Sequence, residues 1–166
     1  MAVLIAIPVI AVLTMLQVGV ISRISLLQGS ADLVMLGLIA WSLHERVKTA
    51  WIWGVIGGGM VSMISALPYF APMWGYLAVV GLTRLIRRRV WQTPLLAMLI
   101  MTFFGSLITL GMDWFVLQFR TGAYPIQSTL NLIIMPSILL NLLLAIPMYA
   151  VINDIADFIF PEEVNL

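Results

Sequence analysis

Apolar residues run along this chain in six long stretches, about 2–21, 24–43, 49–67, 69–83, 93–117 and 130–152, with short polar or charged breaks between them. Runs near twenty residues with few charges are the pattern of helices that cross a bilayer. The first run has only Thr14 and Gln17 as polar residues and closes at Arg23; Pro8 inside it predicts a kink or a local adjustment. After the polar gap Gln28-Gly29-Ser30, Asp32 suits the first turn of the second helix, where a carboxylate meets the positive end of the helix dipole. The strictly apolar part of that helix is short, so 24–27 are assigned to the membrane with it. His44-Glu45-Arg46-Val47-Lys48 forms the first charged loop. Pro68, Tyr69, Phe70, Pro72 and Trp74 make an apolar turn between the third and fourth runs. The fourth ends at Thr83 and meets Arg84-Leu85-Ile86-Arg87-Arg88-Arg89. The fifth extends past Asp113 toward Phe119. Arg120 to Pro125 is the longest polar connection, and the sixth run contains Pro136 and Pro147. An acidic tail follows, with Asp154, Asp157, Glu162 and Glu163.

The third run has a finer pattern. Ala50, Gly54, Gly58, Ser62 and Ala66 recur at every fourth position, and residues four apart on a helix lie above one another. One face is nearly bare of side chain over about 24 Å, and Gly57 and Gly59 widen it. In water, glycine costs about 1 kcal/mol against alanine in a helix. In lipid, small residues at this spacing let a second backbone approach closely and so drive helix association. The groove is expected to pack against the chain's own helices, with contact to a second protein as the alternative.

Of 166 residues, 63% are hydrophobic and 9% charged, with a mean hydropathy of +1.12. That is more apolar surface than a soluble domain of this size needs. The expected fold is an all-α integral membrane protein, a single domain made of one bundle of six transmembrane helices. The first run lacks a positive leader and a small-residue cleavage site, so it reads as a retained span and not a signal peptide. With no cysteine in the chain, disulfide and thiolate chemistry are excluded.

The net charge of +1 says little, but its distribution says more. The loops after the second and fourth runs hold Arg46, Lys48, Arg84, Arg87, Arg88 and Arg89; the opposite side holds Arg23 and Arg120. Six against two places both termini in the cytoplasm by the positive-inside rule, in which acidic residues count little. Trp41, Trp51, Trp53, Trp91 and Tyr149 then fall near the inner interface, and Tyr69, Trp74, Trp114 and Tyr124 near the outer one, as two aromatic belts.

Candidate chemistry is sparse. Arg84, Arg87, Arg88 and Arg89 are candidates for contact with anionic lipid or an acidic cytoplasmic partner, or serve as a topology anchor. Asp32, Asp113 and Arg120 are the candidate polar positions of the outer side. Intramembrane carboxylates are functional candidates by default, yet Asp32 also fits a helix cap and Asp113 also fits an ion pair with Arg120. His44 is the only histidine, which is too few ligands for a metal site. Gly57-Gly58-Gly59 lies inside an apolar run and reads as packing, not as a phosphate cradle. Asn131 and Asn141 should hydrogen-bond to a neighbouring helix. No cofactor, nucleic-acid partner or enzymatic activity is expected.

From about residue 26 to 152 the chain resembles the bacterial rod shape-determining protein MreD family. The resemblance is carried by Ala31-Asp32-Leu33-Val34, the charged hinge His44 to Lys48, Gly54-x-x-x-Gly58, Met73-Trp74-Gly75-Tyr76, the basic exit Arg84 to Arg89, and Pro136-Ser137-x-x-x-Asn141. Ala31 stands where the family usually has proline, and Ser62 where it usually has aspartate, so no role of that carboxylate carries over. The resemblance implies a non-enzymatic scaffold of the cell-elongation machinery in the bacterial inner membrane. It would bind a single-span MreC-like partner and help link MreB filaments to the wall-building glycosyltransferase and transpeptidase. A second resemblance, in size and span count, is to the substrate-binding S component of energy-coupling-factor vitamin transporters. There Ala2-x-x-x-Ala6 would dock the transport subunit, and Asp32, Trp74, Asp113 and Tyr124 would lie about an outward pocket. Against it, the sequence offers no dense cluster of polar groups to hold a vitamin.

Overall fold

The computed structural model describes residues 2–87, 93–122 and 125–160. The elements within them are helical: α1 (Ala2–Gly19), a short 3-10 turn (Ile21–Arg23), α2 (Leu33–Leu43), α3 (Ala50–Ile64), α4 (Phe70–Arg87), α5 (Pro94–Thr121) and α6 (Ile126–Ile159), the last with a π-helical turn at Leu130–Ile134. Three stretches, Val3–Arg23, Pro94–Thr121 and Ile126–Ile159, are long and apolar enough to cross a membrane; Leu33–Leu43 and Ala50–Ile64 are apolar but shorter. At 1.5 Å per residue α2 is only about 16 Å long and α3 about 22 Å, against a hydrocarbon core of about 30 Å.

All eleven residues of α2 are buried, and it touches each of the other five helices. A helix apolar on every side is stable only inside a core, and α2 is the post around which the others stand. Val34 and Leu38 face Gly57 of α3, and Met35 and Ile39 face Gly105 of α5. Gly37 faces Leu13 of α1 and, farther off, Met148 and Ile152 of α6. The start of α2 lies at Tyr76 of α4 and Asn141 of α6, and its end at Arg87 of α4 and Asp157 of α6. Hence α2, α4 and α6 run one way. α3 and α5 run the other way, since Gly54 meets Val80 while Gly58 meets Met73, and Gly75 meets Thr109 while Gly105 meets Val79.

The expectation that 24–27 extend the second helix is corrected. The chain from 24 to 32 is irregular, with an isolated bridge between Leu26 and Gly29 and left-handed backbone at Leu27, φ 57°. It is held by α6. Pro136 has no N–H to give the carbonyl of Leu132 one turn back, and the Gln28 N–H donates to that oxygen instead, at 3.1 Å. Gly29 sits so close that a Cβ on it would lie 2.6 Å from the Ser137 nitrogen. The fourth helix does not stop at Thr83 but continues to Arg87.

Trp41 and Trp53 also depart from the expected belt. They are buried, stacked on each other with ring centroids 3.8 Å apart. Trp51 and Trp74 are exposed. The outer surface is apolar, with Leu4, Met63, Phe119 and Leu143 each more than 70% exposed.

Candidate functional site

The polar groups of the interior converge on the first turn of α2. Asp32 is its N-cap, with Oδ1 accepting from the Met35 N–H at 2.9 Å, as an N-cap carboxylate does. Its Oδ2 accepts from the Tyr76 hydroxyl at 2.8 Å, and its backbone N–H donates to Asn141 Oδ1 at 2.7 Å. Asn141 in turn donates to Ser106 Oγ at 2.8 Å, and Ser106 to the Thr102 carbonyl at 2.7 Å. The Ser30 N–H donates to Ser137 Oγ at 3.1 Å, and the Val34 N–H to Gln17 Oε1 at 3.2 Å. One network thus ties α1, α2, α4, α5 and α6. Asn141 is 2% exposed, so its amide must find partners within the protein, and it finds one on each side.

Beside this network lies a cavity of about 260 Å³ lined by Gln17, Asp32, Tyr76, Thr109, Asp113 and Asn141 together with apolar side chains. The expectation of no dense polar cluster is therefore corrected: residues far apart in the chain meet here because α1, α4, α5 and α6 all pack against α2. Asp32 and Asp113 both line it. Asp113 forms no ion pair with Arg120, which is exposed two turns along α5. Trp74 is exposed, and Tyr124 lies outside the described residues. Asn131, expected to bond a neighbouring helix, is exposed. Tyr76, Gln17 and Thr109 were not singled out as site residues from sequence; a lone glutamine in the first apolar run and a tyrosine within the fourth were the available signals. Among the described residues, no group of three or more His, Cys, Asp or Glu could hold a metal.

At the other end of α2 the charges serve the fold. Arg87 Nη1 donates to the carbonyl of His44 at 2.8 Å and lies 3.4 Å from those of Ser42 and Val47, which closes the open end of α2. Arg84 donates to the Lys48 carbonyl at 3.2 Å. His44 Nε2 lies 3.1 Å from Asp157 Oδ1, Arg46 Nη1 is 3.8 Å from the same oxygen, and Arg46 donates to the Phe160 carbonyl at 2.6 Å. Of the basic exit, Arg84 and Arg87 direct donors at the chain's own backbone; Arg88 and Arg89 lie outside the described residues.

The small-residue stripe of α3 lies against α4. A Cβ on Gly58 would sit 2.8 Å from Met73 Cα, and one on Gly54 would sit 3.2 Å from a Val80 methyl. Ala50 and Ser62 are buried, and the Ser62 hydroxyl reaches the carbonyls of Gly58 and Tyr69. Ala66 does not belong to the stripe: α3 ends at Ile64, Ser65 turns to extended backbone ahead of Pro68, and Ala66 is exposed. Gly59 meets nothing within 4 Å.

No protein-family model, curated protein or solved structure matches the chain.

Proposed function

We propose that this chain is a six-pass, non-enzymatic scaffold of the bacterial inner membrane with both termini cytoplasmic, acting in the cell-elongation machinery with an MreC-like partner. MreB filaments and wall synthases would then be its indirect partners. One observation carries the reading. Three segments that bear the MreD resemblance, Ala31-Asp32, Gly75-Tyr76 and Ser137-x-x-x-Asn141, are separated by tens of residues, yet they are joined directly through Asp32 to Tyr76 and to Asn141. Three of the segments that carry the resemblance thus meet at one point. The short α2 suits a membrane setting because it is enclosed by the other helices, whereas 24–28, irregular and exposed, belong at the membrane edge, since lipid-exposed irregular backbone is not tolerated within the hydrocarbon core. Native-membrane purification of the tagged chain should recover an MreC-like single-span protein; recovery of the chain alone from a cell expressing that protein would overturn the reading.

The transporter S component remains a second reading, favoured by the polar cavity. Calorimetric titration with vitamins separates the two: stoichiometric binding promotes the transporter, and none is expected of the scaffold.

A further inference from the structure

The cavity beside α2 has a charge imbalance. Two carboxylates, Asp32 and Asp113, line it, and among the described residues no lysine, arginine or histidine does. Asp32 is fixed in place by the Met35 N–H and the Tyr76 hydroxyl. Asp113 enters from α5, one turn beyond Thr109. A carboxylate surrounded by apolar helices is costly without a counter-charge, and the described residues supply none from the cavity wall. The remaining wall includes Val61, Ile64, Leu67, Pro72 and Leu110, with Gln17, Ser30, Ser65 and Asn141 as neutral polar groups, so the space combines two carboxylates with hydrocarbon.

We infer that this cavity binds an alkylammonium group, a primary amine on a short carbon chain, with the ammonium between Asp113 and Asp32 and the methylenes against the apolar wall. The volume, about 260 Å³, exceeds what one water or a bare ion needs. A calcium ion would want six to eight oxygen ligands, whereas Asp32 already holds two donors and the oxygens of Gln17 and Asn141 already accept from the Val34 and Asp32 N–H groups. An ammonium has three N–H donors, and the Asp113 carboxylate, the Asp32 carboxylate and the Thr109 hydroxyl line the one cavity that would receive it. The amine could come from an ethanolamine lipid headgroup or from a soluble amine, and the experiment separates these. The inference does not depend on the scaffold reading, since partner recovery and amine binding are measured independently.

The full-length chain, purified in a nonionic detergent, is titrated with ethanolamine, tetramethylammonium, glycerol or calcium, and its thermal midpoint followed. In parallel it is reconstituted in vesicles of phosphatidylethanolamine, phosphatidylcholine or phosphatidylglycerol, and retained lipid is read by native mass spectrometry. Ethanolamine is expected to raise the midpoint while the other three do not. Asp113→Asn should weaken the effect about tenfold, the scale of one charge-assisted hydrogen bond. Selective retention of phosphatidylethanolamine assigns the amine to lipid; a response to ethanolamine without such retention assigns it to a soluble ligand. An equal response to glycerol, a preference for calcium, or undiminished binding by folded Asp113→Asn would each overturn the inference. If Asp113→Asn does not fold, the wild-type preference for ethanolamine over tetramethylammonium decides, because only the former has N–H groups to donate.

Discussion

Among the glycines of α3, Gly58 is the one with least space. A β-carbon there would meet Met73 Cα at 2.8 Å, which is backbone and cannot swing aside. Gly58→Leu must therefore separate α3 from α4, and even a gap of 0.5–1 Å forfeits about a quarter to a half of each atom-pair attraction. We expect a loss of about 1–3 kcal/mol or more, seen as a lower thermal midpoint and a lower folded yield in detergent. Val55→Leu, at an exposed position on the same helix, should melt as the wild type does, and so should Gly59→Leu. Equal melting of Gly58→Leu and the controls would refute close packing of α3 on α4. Asn141 is the polar counterpart of Gly58: it satisfies a backbone donor on one side and a hydroxyl on the other.

Among the elements, the irregular segment from 24 to 32 and the π turn of α6 depend on each other. Pro136 leaves the Leu132 carbonyl open, Gln28 fills it, and Gly29 allows the two backbones to touch. Gly29→Ala places a methyl group 2.6 Å from the Ser137 nitrogen and 2.9 Å from the Ile133 carbonyl oxygen, so the segment must lift away from α6. Hydrogen–deuterium exchange should then rise at Gln28 and Ser30, whose N–H groups bond to α6, while amides inside α5 stay protected. Unchanged exchange at both would mean that the segment is not held by α6.

For the whole molecule, the alternation of helix direction places His44–Lys48, Arg84, Arg87 and Asp157 at one end, and Asp32, Asp113 and the cavity toward the other. On the proposed orientation, which follows the positive-inside bias, the charged end faces the cytoplasm. Single cysteines at Lys48 and Gly122 should be labelled by a membrane-impermeant thiol reagent from opposite sides, Lys48 from the cytoplasm only. Both positions are exposed in the structure, so silence from burial is not expected. Labelling of both from one side would exclude the six-pass arrangement.

Apolar run lengths and the spacing of small residues are local properties, and they determine a good deal unaided: an all-helical chain, the approximate position of each helix, the Asp32 cap, and the bare face of α3. The resemblance to a scaffold family likewise rests on sequence order. Other features depend on which helix stands in the middle. That α2 is a short and wholly buried post, that Trp41 and Trp53 stack inside, that Arg87 closes a helix end and that Ala66 falls off the stripe are all consequences of packing. The cavity is the clearest case. Nothing in the sequence joins Gln17, Asp32, Tyr76, Thr109, Asp113 and Asn141 into one site, because no periodicity links residues on five different segments. Their meeting is decided by the short helix that every other helix touches, which brings six polar residues from five segments within hydrogen-bonding range of one another or of one shared space.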